Sequence, residues 1–344
     1  MTNQLHSSRI NNPRTYSRMP PSSDKPVIPS TDSHPVGTSV RYIEATEDDA
    51  GQRLDNYLIR ILKGAPKTLV YRIVRKGEVR VNKKRATVAY RIQSGDTIRI
   101  PPVRLPQRGE TIKLPPALLG HLEQAILYED DKLLIINKPS GIAVHGGSGL
   151  SYGLIEAIRQ IRPGDPELVH RLDRDTSGCL MISKRRSMLR FLHEKLREGD
   201  MHKVYHALVV GNWASNKRTI NAPLQKNILR SGERVVRVNE EGKPSETHYR
   251  VLKNYQDASL VEASPITGRT HQIRVHCLYG GHAILGDEKY GQHIDNQYFR
   301  SKGLRRLFLH AAKLTVPRPD GTFLTIEAPL PPDLQKVLKK LDHD

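Results

Sequence analysis

Hydrophobic residues recur at helical spacing in the first third of the chain, and an alternating pattern follows them. The intervals of three and four residues predict two helices, one carrying Leu54, Leu58, Ile61 and Leu62 and the other Leu69, Ile73 and Val74. Gly77 then ends the second helix, and the alternation over Val79–Val81 predicts a strand before a turn at Asn82–Lys84. We therefore expect a small module of two helices and a β-ribbon.

Apolar runs and helical patterns alternate from about Gln124 to the C-terminus. Helices are predicted over Leu154–Ile161, Met188–Leu196, His271–Tyr279 (with Thr270 as its N-cap) and Leu334–Leu341. Strands are predicted over Leu133–Ile136, Val204–Val210, Arg234–Val238, Thr247–Leu252, Leu260–Ala263, Leu307–Val316 and Thr322–Glu327. Because hairpins outnumber strand–helix–strand units, we predict an α+β fold with a mostly antiparallel central sheet.

Composition divides the chain into four parts. Residues 1–40 hold six prolines and eight serines with almost no aliphatic residues, which predicts a tail without fixed structure. Residues 41–105 form the small module, and the prolines near residues 106–123 predict an extended linker. Residues 124–344 are expected to form the larger domain.

Charge and cysteine usage narrow the class of partner and the compartment. Lys and Arg outnumber Asp and Glu by 55 to 36, which gives a formal charge of +19. This excess favours a polyanionic partner, and nucleic acid is the first candidate. No apolar run is long enough to span a membrane. Cys179 and Cys277 form no C-x-x-C pair, so we expect no disulfide framework, no thiolate zinc site and a reducing cytoplasm.

Seven cations fall within fourteen residues of the small module and are opposed only by Glu78. They are Arg72, Arg75, Lys76, Arg80, Lys83, Lys84 and Arg85. Such a run is often only a solvated surface. The module resembles the S4 RNA-binding domain, whose patterns G-x-R-L-D-x-x-L and G-x-V-x-V-N are matched at Gly51–Leu58 and Gly77–Asn82. The resemblance implies that the seven cations contact RNA.

The segment His170–Gly178, H-R-L-D-R-D-T-S-G, places Asp173 between Arg171 and Arg174 and lies between two apolar runs. A charged loop held between strands is a common place for catalysis. The same residues could instead form a structural cluster of ion pairs.

Four segments resemble, in order, the motifs of the RluA-type pseudouridine synthases. They are N-K-P-S-G at Asn137–Gly141, H-R-L-D-R-D-T-S-G at His170–Gly178, K-V-Y-H-A-L-V at Lys203–Val209 and G-R-T-H-Q-I-R-V-H at Gly268–His276. The resemblance implies that Asp173 is the catalytic nucleophile, that Arg274 pairs with it, that Tyr205 stacks on the target base and that Arg171 fills the gap left by the flipped nucleotide. A structural role in holding the catalytic loop is expected for Lys138.

The resemblance also implies the reaction and its partners. Uridine is isomerised to pseudouridine without a cofactor or a metal. The segments that begin at Gly146, Pro223 and Arg306 resemble family members that modify large-subunit ribosomal RNA, which implies a 23S ribosomal RNA substrate. We expect a monomer without an obligate protein partner.

Three alternatives remain at this point. A non-catalytic RNA-binding factor would have the same charge and the same small module. A glycoside or nucleoside hydrolase could use Asp173 and Asp175 as a carboxylate pair, although such pairs usually come from separate elements. Metal binding by His271 and His276 is disfavoured because residues five apart on a helix face different directions.

Overall fold

The computed structural model describes residues 35–36, 39–62, 64–104, 113–146, 152–214, 219–228 and 234–343. Most of the tail predicted to lack fixed structure therefore lies outside the described residues. Pro35–Val36 differs from that expectation, because it forms strand β1.

The N-terminal module contains the two predicted helices and a four-stranded antiparallel sheet. Its elements are β2 (Arg41–Glu44), α1 (Leu54–Ile61), α2 (Lys67–Arg75), β3 (Arg80–Val81), β4 (Lys84–Arg85) and β5 (Thr97–Ile100). The strand order is β2-β5-β3-β4, and β6 (Val103–Arg104) pairs with β1. The helices bury the predicted apolar positions, Leu54 and Leu58 on α1 and Ile73 and Val74 on α2, against the sheet.

The segment predicted as an extended linker is partly helical. Residues 105–112 lie outside the described part of the chain, but α3 runs from Pro116 to Gln124. A proline in the first turn of a helix lacks only an N–H that would have no helical partner, so the prolines start this helix instead of preventing it. Leu122 of α3 is fully buried among residues of the larger domain. The predicted linker is therefore wrong for this part.

The larger domain is built on one ten-stranded sheet and a separate two-stranded hairpin. Its strands are β7 (Ile126–Glu129), β8 (Leu133–Lys138), β9 (Glu167–Leu168), β10 (Ser177–Ser183), β11 (His202–Val210), β12 (Thr219–Asn221), β13 (Leu224–Ile228), β14 (Arg234–Val238), β15 (Glu246–Asn254), β16 (Ala258–Pro265), β17 (Leu309–Pro317) and β18 (Phe323–Glu327). Its helices are α4 (Leu154–Ile161), α5 (Arg186–Glu198), α6 (Gln272–Tyr279), α7 (His293–Ser301) and α8 (Pro332–Leu341).

The order in the main sheet is β12-β15-β16-β11-β17-β10-β8-β7, with β18 on β17 and β9 on β10. The strands β13 and β14 form a separate hairpin. Among the described strand pairs only β10 and β17 are parallel, so the predicted α+β class with a mostly antiparallel sheet is confirmed.

The register of three central strands sets the position of the site. Gly178 of β10 and Tyr205 of β11 both pair with Ala311 of β17, so the end of the His170–Gly178 loop lies level with Tyr205, two strands away. A Cβ atom at Gly178 would lie 2.2 Å from the carbonyl oxygen of Ala311, and its φ is +111°. Only glycine allows β10 to begin this close to β17.

Two further findings differ from the sequence predictions. Helix α6 begins at Gln272 with His271, not Thr270, as its N-cap residue. The elements β2, β12, β13 and α7 were not predicted. No helix in the described part of the chain is long and apolar enough to cross a membrane.

The small module contacts the larger domain at the start of α5. Asp48 accepts a hydrogen bond from the backbone N–H of Ser187 (3.2 Å), and Arg190 donates to the carbonyl of Glu47 (3.1 Å). The N-cap residue of α5, Arg185, provides no side-chain cap, so a carboxylate from the other domain caps this helix.

Candidate active site

Lys138 fixes the loop that carries Asp173. Its side chain is fully buried, and its Nζ donates to the carbonyl oxygens of Pro139 (2.8 Å), Ile142 (2.9 Å) and Arg174 (2.9 Å). Burial lowers the pKa of Lys138 to about 7. Three acceptors match the three N–H groups of an ammonium, so the side chain is fully bonded.

Two more contacts join the Asn137–Gly141 segment to the same loop. The backbone N–H of Gly141 donates to the carbonyl of Arg174 (2.9 Å), and Ser140 Oγ donates to that of Asp175 (2.7 Å). The loop that precedes β10 is therefore held through its backbone, which leaves its side chains free to face the cleft.

Asp173 and Arg274 lie together, although 101 positions separate them in the sequence. Arg274 Nη1 donates to Asp173 Oδ2 over 3.2 Å, and the two side chains are 10% and 21% exposed. Burial disfavours the charged guanidinium, but the ion pairs with Asp287 and Asp173 raise the pKa of Arg274 above its usual value. The cation thus carries a permanent charge next to the carboxylate.

Asp287 is the second partner of Arg274, and sequence reasoning missed it. Arg274 Nε and Nη2 donate to its two carboxylate oxygens over 2.7 Å each, and the Asp287 side chain is fully buried. The backbone N–H groups of Lys289 and Tyr290 donate to Asp287 Oδ1 over 3.0 and 3.1 Å. This bidentate pairing fixes the plane of the guanidinium and leaves Nη1 to face Asp173.

His271 is a second group that faces Asp173. Its Nε2 lies 3.7 Å from Asp173 Oδ2, and its Nδ1 lies 2.7 Å from the hydroxyl of Tyr290. That hydroxyl accepts a hydrogen bond from the backbone N–H of Val236 (3.0 Å). Tyr290 therefore links the imidazole of His271 to the backbone of β14 and holds its Nε2 edge toward Asp173.

The backbone and the surroundings of His271 are also unusual. Its φ of 54° places it in the left-handed region, where residues other than glycine are strained and often functional. Burial lowers the pKa of His271, although the charge of Asp173 acts in the opposite direction. The neutral form is therefore favoured.

His276 belongs to a different environment. Its Nδ1 lies 2.9 Å from Thr247 Oγ1, and its Nε2 lies 3.0 Å from the carbonyl of Ala222. Both ring nitrogens are therefore bonded within the core, away from His271. Within the described ranges no group of three or more His, Cys, Asp or Glu side chains could hold a metal ion.

A cavity of about 730 Å³ opens beside Asp173. Tyr205, Arg274 and Ile266 are among the residues that line it. Burial, and then the negative charge of Asp173, raise the pKa of Tyr205 above its usual value, so its hydroxyl stays protonated. The cavity combines an aromatic ring, an exposed aliphatic side chain and a paired carboxylate, and its volume is typical of ligand pockets.

A second cavity of about 690 Å³ lies on the other side of Asp173 and is rich in cations. Arg171 is exposed and lines both cavities, whereas Arg174, Lys289 and Arg305 line only the second. Asp175 also lines the second cavity, where Arg174 Nε donates to it over 3.1 Å.

The seven predicted cations of the small module form one exposed patch, here called the basic face (Arg72, Arg75, Lys76, Arg80, Lys83, Lys84 and Arg85). The turn between β3 and β4 has positive φ at both Asn82 (49°) and Lys83 (66°), as expected for a two-residue hairpin. Arg80 donates to the carbonyl of Lys83, and Arg85 donates to that of Lys76, both over 3.5 Å, which ties the turn to the end of α2. Among the described residues, none of the seven forms an ion pair with an acid.

Comparison with protein families matches both parts of the chain. A model described as RNA pseudouridylate synthase matches residues 132–279, and a model described as S4 domain matches residues 52–98. The ribosomal large subunit pseudouridine synthase C of Pasteurella multocida is 54% identical over 315 residues, which cover 90% of this chain and 96% of that protein. The protein of the same name from Escherichia coli strain K12 is 55% identical over 314 residues, covering 88% and 97%.

Two solved structures share the architecture of the larger domain. Human RNA Pseudouridylate Synthase Domain Containing 4 is 28% identical with a TM-score of 0.55, and covers 66% of this chain and 96% of its own. Human RNA Pseudouridylate Synthase Domain Containing 1 is 28% identical with a TM-score of 0.53, and covers 63% and 87%.

Proposed function

Because the chain belongs to the RNA pseudouridylate synthase family, we propose that it isomerises uridines of large-subunit (23S) ribosomal RNA to pseudouridine, with Asp173 as the nucleophile. The choice of large-subunit ribosomal RNA as substrate follows the names of the relatives from P. multocida and E. coli. The observation that carries the assignment to Asp173 is its position, within hydrogen-bonding distance of Arg274 and at the wall of a nucleotide-sized cavity.

Each side chain has a role that its contacts support. The Asp173 carboxylate acts on the nucleotide, and Arg274 orients it while Asp287 fixes Arg274. Tyr205 provides a flat wall for a base that has left the RNA helix, which offsets part of the few kcal/mol of unstacking. Arg171, exposed between the two cavities, is placed to contact the RNA that the flipped nucleotide leaves behind.

The reaction is balanced without a redox partner. The bond between ribose C1′ and uracil N1 breaks, a bond between C1′ and C5 forms, C5 loses a proton and N1 gains one. The oxidation state does not change, so the proposal includes neither a cofactor nor a metal. We also propose that the protein is a monomer and acts in the cytoplasm.

The basic face is proposed to bind the RNA backbone. Its seven cations are exposed and have no acidic partner among the described residues, so they can neutralise phosphates. The reaction centre and the basic face would then hold different parts of one RNA molecule.

The test compares Asp173→Asn with Asp175→Asn, the same change two residues away at the more exposed acid of the loop. Asp173→Asn is expected to lower pseudouridine formation at least about a thousandfold, because no other group at the site replaces a nucleophile. RNA affinity should stay within about threefold, because phosphate contacts dominate it. Asp175→Asn should keep most of the activity. Pseudouridine is mapped by carbodiimide-induced stops of reverse transcription on 23S ribosomal RNA.

Other outcomes would select an alternative. A wild-type protein that binds the RNA and forms no pseudouridine would be a binding factor. Release of free uracil, lost in both variants, would indicate a hydrolase that uses Asp173 and Asp175 together.

A further inference from the structure

Lys203 lies beside Tyr205 on the same face of β11. The two residues are two positions apart, so their side chains point to one side of the sheet, about 7 Å apart along the strand. Both line the 730 Å³ cavity that Asp173 and Arg274 also line. The Lys203 amino group is close to the opposite wall, since a Cβ atom at Gly268 would lie 3.9 Å from Lys203 Nζ.

The ammonium of Lys203 has no partner in the described part of the chain. It forms neither a hydrogen bond nor an ion pair there, whereas buried Lys138 donates to three carbonyls. Burial is the cause that lowers the pKa of Lys203. A cation that is partly removed from water without a partner is costly, and such groups cluster at binding sites.

The chemistry of the cavity defines the missing partner as an oxygen that carries negative charge. When the C1′–N1 bond of uridine breaks, both bonding electrons remain on the uracil ring, and the charge spreads from N1 to the carbonyl oxygens O2 and O4. If Asp173 instead adds to the ring, negative charge also reaches a carbonyl oxygen. A fixed donor at this position would stabilise either species.

We propose that the Lys203 ammonium donates a hydrogen bond to a carbonyl oxygen of the target uracil and stabilises the negative charge that the ring carries during the reaction. The inference rests on the proposed function. Lys203 keeps its proton throughout, so the balance of bonds and protons is unchanged. The position next to Tyr205 favours the base over an RNA phosphate, because the aromatic ring that is proposed to hold the base lies beside Lys203 on the same strand and lines the same cavity.

The experiment measures Lys203→Met, Lys203→Arg and the control Lys313→Met. Lys313 of β17 pairs with Glu327 on β18. In the sheet Lys313 lies opposite Val204, and the Val204 side chain points to the other side of the sheet from those of Lys203 and Tyr205. Rates of pseudouridine formation are followed in single turnovers with saturating enzyme on 23S ribosomal RNA, and RNA affinity is measured by filter binding.

Lys203→Met is expected to lower the single-turnover rate about a hundredfold, the usual effect of removing one donor from developing negative charge. Its RNA affinity should stay within about threefold. Its melting temperature should not fall, because methionine replaces an unpaired cation with an apolar chain of similar shape. Lys203→Arg should recover about tenfold of the rate, and Lys313→Met should match the wild type.

Three results would overturn the inference while leaving the proposed function intact. They are an unchanged rate in Lys203→Met, a loss of affinity with an unchanged saturated rate, which indicates a phosphate contact, and a lowered melting temperature without rescue by arginine. A wild-type protein that forms no pseudouridine would instead overturn the proposed function, and this inference with it.

Discussion

The active centre and the basic face both depend on cationic side chains, but the two regions hold them in opposite ways. In the active centre, Arg274 is 10% exposed and is bonded to two carboxylates, one of them fully buried. On the basic face all seven cations are exposed, and none has an acidic partner among the described residues. One region fixes a single charge in place, and the other presents many charges that can move.

This difference has an energetic basis. Removing one partner of a buried ion pair leaves an uncompensated charge in a poorly hydrated site and costs about 3–5 kcal/mol. Exposed charges are screened by salt over about 8–10 Å, and each contributes a small, separable amount. Changes to the buried ion pairs of the active centre should therefore act on rate and stability together, and changes on the basic face should act on affinity alone.

Among the changes that test this contrast, the largest combined effect on rate and stability is expected for Asp287→Asn. The amide loses the charge that Arg274 needs, so the guanidinium becomes free to turn away from Asp173. We expect the free energy of unfolding to fall by about 3–5 kcal/mol in urea titrations. The single-turnover rate of pseudouridine formation should fall by about a hundredfold or more, because misplacing a reacting group is costly.

The matched control is Glu288→Gln. Glu288 is the next residue, but its side chain is 71% exposed and pairs with Arg300 at the surface. We expect stability and rate within experimental error of the wild type. Equal effects of the two variants would remove the distinction between buried and exposed charge at this site.

The residues of this network were not equally predictable from the sequence. The Asp173–Arg274 contact joins two elements through the tertiary fold, and only the family motifs brought these residues together. Asp287 and Tyr290 lie in a G-D-E-K-Y segment without hydrophobic periodicity, so no helical or strand pattern pointed to them. The left-handed backbone of His271 was also missed, because a threonine before it has the residue type of a typical N-cap.

The fold shows the same limit. Helices α1 and α2 were found because one apolar stripe faces a core and the other side faces water. Helix α6 is buried from Gln272 to Cys277, Arg274 included, so its pattern carries no polar stripe over this stretch, and its start was placed one residue early. Short strands such as β12 and β13 were missed because their pairing depends on distant partners.

An intermediate effect is expected for Tyr290→Phe. The change removes the hydroxyl between the backbone N–H of Val236 and Nδ1 of His271 but keeps the ring packed 5.0 Å from the Arg274 guanidinium. The imidazole would then lose this hydrogen bond and be free to turn away from Asp173, so we expect the single-turnover rate to fall about tenfold. The free energy of unfolding should fall by only about 1 kcal/mol.

Tyr298→Phe is the matched control, since it removes a hydroxyl that donates to Asp257 at the surface. The rate of this variant should not change. If Tyr290→Phe also left the rate unchanged, the Tyr290–His271 contact would be structural only, and the active centre would reduce to Asp173 and its ion pair with Arg274.

The smallest effect on the saturated rate, and the clearest effect on salt dependence, is expected for the triple change Lys83→Ala, Lys84→Ala and Arg85→Ala. These side chains are exposed on and after the β3–β4 turn, so their loss should leave the folded core intact. If each contacts one phosphate, the slope of log affinity against log salt should become shallower by about two to three units. The rate at saturating RNA should stay within about twofold.

The control removes the same charge from α8 at Lys336, Lys339 and Lys340, which are also exposed. An equal change of slope in both triple variants would mean that overall charge, and not the basic face, governs RNA binding, and the contrast between the two regions would then lose its functional meaning.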